Sequence, residues 1–190
     1  MQFTLYYRGE LKSNARPADK HLLRQHFHRQ LKVLWTQPPL SGFVRLLLPE
    51  RLNNLGLPQE ISILRDLHGF EFAPLVCKKL SLVADLEVQM LWPQAPGAIV
   101  SAGGDIDNRL KTLFDSLKMP SEKMALPSGA VPGHDETPFY CLLEDDRLIT
   151  RISVETDRLL ESQLDSSEVA LFIRVRTRQM QTFISTVGLS

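Results

Sequence analysis

Leu82-Val83-Ala84-Asp85-Leu86-Glu87-Val88-Gln89-Met90-Leu91-Trp92 is the stretch on which the fold turns. Leu82, Ala84, Leu86, Val88, Met90 and Trp92 fall on one side of an extended chain, with Ser81, Asp85, Glu87 and Gln89 on the other. A period of two sustained over this length is a half-buried strand, because successive side chains of a pleated chain point to opposite faces. Past a turn-rich connection from Pro93 to Gly104 the period changes. Leu110, Leu113, Phe114 and Leu117 recur at three and four residues, which predicts a helix over 107–118.

Working outward, residues 2–8 read as a first strand, and a polar loop follows to Arg16. Pro17 suits the first turn of a helix. That helix runs to about Trp35, with Leu23, Phe27, Leu31 and Leu34 as its buried stripe. Phe139–Leu143, Ile149–Val154 and Val169–Arg176 read as further strands. Prolines punctuate 36–80, which is expected to hold a short helix around Gln59–Leu67 and an extended piece around Phe70–Val76. Residues 119–138 read as a mobile loop. The class is α/β in the α+β sense: a small mixed β-sheet with a few helices packed on it.

The chain has 190 residues, enough for one domain with a real core. Apolar residues make up 43% and charged residues 23%, which excludes a disordered chain. No apolar run approaches the roughly 20 residues that span a bilayer, so no membrane is expected. The segment Met1–Arg8 lacks a basic region followed by an apolar one, and the expectation is a cytoplasmic protein. Cys77 and Cys141 have no metal-binding spacing. Net charge is zero, yet residues 1–36 carry seven basic against two acidic residues, and 119–190 seven against eleven. Arg16, Lys20, Arg24, His28 and Lys32 recur every four residues along the first helix, a row long enough to meet several phosphates or simply a solvated face.

Two groups of carboxylates carry chemistry. Asp105 and Asp107 stand at the mouth of the helix over 107–118; Asp145 and Asp146 follow the strand Phe139–Leu143. Capping explains one aspartate at a helix start, worth about 1 kcal/mol, but not a second two residues away. Carboxylates about 5 Å apart repel by roughly 3 kcal/mol at an effective dielectric near 20. Four of them gathered together call for a cation, and Mg²⁺ suits such a set, with Mn²⁺ as an alternative. Lys111 lies one turn after Asp107, placed to pair with a carboxylate or to reach a phosphate. Asp115, one turn further, is expected to support Lys111 or the fold. Gly103-Gly104 is not followed by a dinucleotide or phosphate-loop pattern, so no organic cofactor is expected. His21, His26 and His28 do not share a helix face, and Trp35 and Trp92 read as core.

The ordered set D-x-D-N-x-x-K-x-x-x-D-x-L after a long strand, then a strand ending in D-D, resembles the RusA-type Holliday-junction resolvases. The resemblance covers about residues 80–176 well and 1–35 loosely. It implies that Asp105, Asp107 and Asp146 are the catalytic, metal-binding aspartates and that Lys111 is an important lysine. It also implies a Mg²⁺-dependent endonuclease that nicks branched DNA in recombination or repair, acting as a homodimer. The basic arm, Lys12, Arg16, Lys20 and Arg24, would hold the DNA backbone. Residues 36–80 and 119–138 are insertions relative to the compact members of that family. A catalytically inactive module of the same fold, binding nucleic acid or protein, is the alternative.

Overall fold

The computed structural model describes residues 1–50, 52, 61–93, 106–161 and 168–180. The described residues include seven strands and two α-helices: β1 (Gln2–Glu10), α1 (Pro17–Trp35), β2 (Arg65–Leu67), β3 (Phe70–Val76), β4 (Leu82–Trp92), α2 (Ile106–Leu117), β5 (Phe139–Leu143), β6 (Ile149–Arg158) and β7 (Glu168–Gln179). Short 3-10 turns occupy Leu40–Leu47, Lys78–Leu80, Lys123–Ala125 and Asp146–Leu148. Two mixed sheets result, so the fold is α+β as the periodicities require. One has four strands in the order β1-β7-β4-β6, the other three in the order β2-β3-β5.

β4 lies inside the larger sheet, antiparallel to β7 and parallel to β6. Its Leu82, Ala84, Leu86, Val88, Met90 and Trp92 are all buried. The opposite face is open and carries Asp85, Glu87 and Gln89 beside Arg174, Arg176 and Arg178 of β7. Arg178 bonds Asp85 and Arg174 bonds Glu87 across the strands, which keeps this face polar.

The second sheet was not legible as such. The expected helix around Gln59–Leu67 is not what residues 65–67 form: Arg65–Leu67 is β2, paired antiparallel to β3. Residues 53–60 lie outside the described residues. The two strands meet at His68 and Gly69, with φ of 53° and 87°. Two successive left-handed residues make the turn whose twist matches a hairpin, and glycine takes that conformation without penalty. β3 then runs parallel to β5, pairing Phe72 with Phe139 and Val76 with Leu143. Phe70, Phe72, Leu126, Phe139 and Cys141 form a small apolar cluster of their own. The 36–80 segment is therefore built into the core through β3.

α1 buries more than the expected stripe. Besides Leu23, Phe27 and Leu31, it buries His21, Arg24 and His28. From Lys20 to Lys32 the basic row is thus a packing seam against α2, β5 and the 131–138 segment, while Arg16 at its start stays exposed. Arg24 is 2% exposed. Its guanidinium donates to the carbonyls of Lys118 at 3.0 Å and Asp115 at 2.9 Å, the open end of α2. The expected role of Arg24 on a DNA backbone gives way to this one, since a buried guanidinium has no surface to offer a phosphate.

Residues 119–138, expected to be mobile, are tied down. Met119 donates its N–H to the Leu143 carbonyl at 2.9 Å. Gln25 donates to Glu136 at 2.7 Å, and Lys32 pairs with Asp135. His28 accepts the Tyr140 N–H on Nδ1 at 2.9 Å and meets the Asp135 carbonyl through Nε2 at 3.1 Å. That arrangement needs a neutral ring, and burial holds its pKa below the ordinary 6.5.

Two outcomes follow from this packing. Arg24→Ala is expected to lower the unfolding free energy in urea by about 2–4 kcal/mol, and Arg24→Lys to recover less than half of it, because one ammonium cannot span both carbonyls. A loss under about 1 kcal/mol would mean the clamp is dispensable. For His28, whose folded pKa lies below its unfolded one, the unfolded chain binds the extra proton. Stability is then full above about pH 6.5 and declines as pH falls below it. His28→Gln should flatten that part of the pH–stability curve; an unchanged slope would assign it elsewhere.

Candidate functional site

α2 carries the site face. Ile106, Leu110, Leu113, Phe114 and Leu117 turn toward the core, with Leu113 and Leu117 fully buried. The spacing leaves Asp107 and Lys111, one turn apart, on the exposed side. The start of the helix is fixed by Arg109, whose guanidinium lies 4.6 Å over the Trp92 ring and donates to the Leu11 carbonyl. The start of α2 is thereby moored to the end of β4 and to the chain leaving β1. Among the described residues Asp107 accepts the Asn108 N–H alone, at 2.7 Å. Among the described residues neither Asp107 nor Lys111 has an ionic partner.

The far end of α2 is a different environment. Asp115 is bonded by Lys20 at 2.7 Å and by Lys118 at 3.1 Å. Burial alone would raise its carboxyl, but the two lysines outweigh burial and hold it below the usual range. Lys118 also reaches Asp146 at 2.7 Å. Burial works against its charge, yet Asp146 and Asp115 together hold its pKa above that of a free lysine. Lys20, Arg24, Asp115 and Lys118 line a recess of about 340 Å³ that Pro17 and Glu122 border. Asp115 thus supports the fold through Lys20 and Lys118, and not through Lys111.

The run after β5 is divided among three tasks. Glu144 accepts from Arg65 at 3.2 Å and from the Lys78 N–H at 2.8 Å, joining β2 and β3 to β5. Asp145 accepts the Arg147 N–H at 2.9 Å, a bond that holds its carboxyl below the usual range. Asp146, with its side chain 45% exposed, reaches Lys118.

Asp107 and Asp115 are eight positions apart, about 12 Å along the helix axis. Asp146, held by the lysine that also holds Asp115, is therefore nearer that end of α2 than the start. No group of three His, Cys, Asp or Glu side chains converges among the described residues. Asp105 lies outside them. Of the basic arm, Lys12 pairs with Asp19 at 2.9 Å and Glu10 at 3.4 Å, while Arg16 is exposed at the start of α1. Lys118 escaped the sequence reading. The signal was present: a lysine three residues after Asp115 at a helix end, where a cation is favoured by the helix dipole.

Comparison with protein-family models, curated proteins and solved structures finds no match.

The two ends of α2 should respond differently to neutralisation. Asp115→Asn removes the shared partner of two lysines and is expected to lower the melting temperature by about 2–4 °C. Asp107→Asn and Lys111→Ala, which break no described ion pair, should shift it less. The opposite ranking in a thermal melt would mean that Asp107 and Lys111 hold the fold.

Proposed function

We propose that this protein is a metal-dependent endonuclease that nicks branched DNA such as four-way junctions. The observation that carries the reading is the state of Asp107 and Lys111. They occupy the positions of the D-x-D-N-x-x-K pattern, sit one turn apart on an exposed face, and have no ionic partner among the described residues. Elsewhere on α1 and at the far end of α2, Lys20, Lys32, Asp115 and Lys118 are all committed to ion pairs. Charged side chains left unpaired beside a network that pairs its neighbours are available to a ligand.

Carboxylate oxygen is the donor that a hard divalent cation, Mg²⁺ or Mn²⁺, prefers; Asp107, with Asp105 two positions before it in sequence, offers it at the start of α2, and Asp145 and Asp146 offer it after β5, toward the other end of that helix, so the two pairs would serve different ions. When bound, such an ion supplies an activated water and neutralises charge on the phosphoryl oxygens. Lys111 places an ammonium on the same helix face as Asp107, where it lends positive charge to a phosphate as it is attacked. Lys118 positions the Asp146 carboxylate, and Arg16 and Lys12 offer contacts to the DNA backbone, which set register without reading sequence.

The test uses a synthetic four-way junction, a flap and a linear duplex, each with and without Mg²⁺. Nicking of the junction is expected only with the metal, abolished in Asp105→Asn and Asp146→Asn and weakened in Lys111→Ala. Added Mg²⁺ or Mn²⁺ should also raise the melting temperature of the wild type and not of Asp107→Asn. Cleavage of the flap alone would keep the nuclease and move the substrate. A wild type that cuts nothing with either ion would leave the non-catalytic binding module as the reading.

A further inference from the structure

A groove of about 820 Å³ opens between the start of α1, the His68-Gly69 turn of the second sheet and the 123–131 segment. Ligand sites commonly occupy about 300–1,000 Å³. The floor is Leu126, 6% exposed, which belongs to the small apolar cluster of the second sheet. The far wall is held by its own backbone. Ala125 and Leu126 donate their N–H groups to the Glu122 and Lys123 carbonyls at 3.0 and 3.1 Å, and Ala130 donates to the Pro127 carbonyl at 3.1 Å. Gly129 completes that last turn with a φ of 72°, which glycine takes without penalty. The wall is thus shaped before anything binds.

The rim selects what the groove takes. Met124 is 82% exposed and Val131 77%, two large apolar side chains standing in water on the groove's border. A small molecule seated on Leu126 would leave both uncovered, whereas a chain laid along the groove covers them. The charge of the rim has one sign. Arg16, His68 and Lys123 line the groove, and no Asp or Glu among the described residues does. Asp19, the carboxylate of the first turn of α1, accepts from Lys12 at 2.9 Å and from the Arg16 N–H at 3.2 Å, so it does not hold the Arg16 guanidinium. In the neighbouring recess, by contrast, Lys20 and Lys118 share Asp115. No Phe, Tyr or Trp side chain among the described residues lines the groove. A nucleic-acid strand lying there would lack the aromatic faces on which bases stack. Carboxylates set around an apolar anchor are the better complement.

We infer that this groove is a docking site for an acidic segment of a partner protein, one in which neighbouring apolar side chains are flanked by Asp or Glu. The apolar side chains lie over Leu126 between Met124 and Val131, and the flanking carboxylates meet Arg16 and Lys123. A guanidinium can take a carboxylate through two parallel N–H bonds, so Arg16 adds geometry as well as attraction. The wall that makes the groove comes from the 119–138 segment, which supplies none of the carboxylates of the nuclease reading, and the inference does not rest on that reading. Arg16 alone is common to both, and a docked acidic segment withdraws it from a DNA backbone.

Selection of peptides from a random displayed library on the immobilised full chain, followed by titration of the enriched peptides in solution, tests it. Enriched sequences are expected to carry adjacent apolar residues beside Asp or Glu. Arg16→Glu and Lys123→Glu should each weaken such a peptide by at least about fivefold, and the two together by at least about twentyfold. Arg151→Glu, the same charge change on the other sheet, should alter binding by less than about twofold. Met124→Ser and Val131→Ser give a reading that does not depend on charge. Both side chains already stand in solvent, so binding should fall by about threefold or more while the melting temperature holds. The peptide with Lys in place of its acidic residues should prefer the doubly reversed variant to the wild type. A selection that enriches nothing, or that enriches peptides without acidic residues, overturns the inference. So do peptides that bind the doubly reversed variant as well as the wild type. A labelled oligothymidylate that binds through Arg16 and Lys123 where no peptide does would make the groove a nucleic-acid surface instead.

Discussion

A buried guanidinium is costly unless every donor finds an acceptor, and Arg24 finds its acceptors at the one place on α2 that lacks donors. The last carbonyls of a helix have no partner within it and carry the negative end of its dipole. Arg24 supplies two N–H groups there, to Asp115 and Lys118, from the middle of α1. Burial lowers its pKa, opposed in part by the charge of Asp115. A side chain of such basicity stays charged even so. The consequence is geometric. α1 and α2 cannot slide past each other without stripping a buried cation of its partners. The Lys118 backbone, fixed on one side by Arg24, leads directly into the Met119–Leu143 bond to β5. The helix that carries Asp107 and Lys111 and the strand end that carries Asp145 and Asp146 are thus referred to one point.

That point also divides the charges of the chain. Lys20, Asp115, Lys118 and Asp146 form a chain of ion pairs beside Arg24, part-buried and mutually bonded. Exposed pairs contribute little, with a median near 0–1 kcal/mol, but a network with shared partners on fixed backbone orients its members. Asp146 is the exposed end of this network. Its carboxylate is aimed by a lysine whose own position is set by Asp115. A near-zero net charge is therefore a poor guide to this protein. The cations of α1 are mostly spent inward, on α2 and on Asp135, and the basic surface is smaller than the basic sequence.

Periodicity made the strands and helices readable because it records which face is buried. β4, α1, α2, β5 and β7 lie where alternation and helical spacing put them, since each has one apolar face and no competing pattern. β2 was unreadable for a specific reason. It is three residues long, carries Arg65 and Asp66, and is held by its pairing to β3 and by Arg65 on Glu144, a partner far away in the chain. Nothing local in a segment so short distinguishes strand from helix. The basic row of α1 failed in a more instructive way. A four-residue repeat shows that side chains share a face but not which way the face points. The missing information was the position of α2 and of residues 131–138, which offer carbonyls and carboxylates to that face. At the site, Asp107 and Lys111 are exposed together as their spacing requires. The separation of the jobs of Glu144, Asp145 and Asp146 was hidden, because three adjacent acidic letters look alike until their partners are known.

The two edges of the larger sheet bring the same reasoning to the surface. β1 lies next to α1, so Gln30 and His26 can reach its backbone; the helix that spends its arginine on α2 spends these two side chains on an edge. β6 follows the Asp146–Leu148 turn and pairs on its inner side with β4 alone. It has no helix beside its outer side among the described residues. A protein that covers one edge with side-chain hydrogen-bonding groups and leaves the other lined by an arginine, two apolar side chains and a glutamate has treated them as different surfaces. Alternating charge along an edge discourages indiscriminate pairing, because most registers oppose like charges or bury an unpaired one.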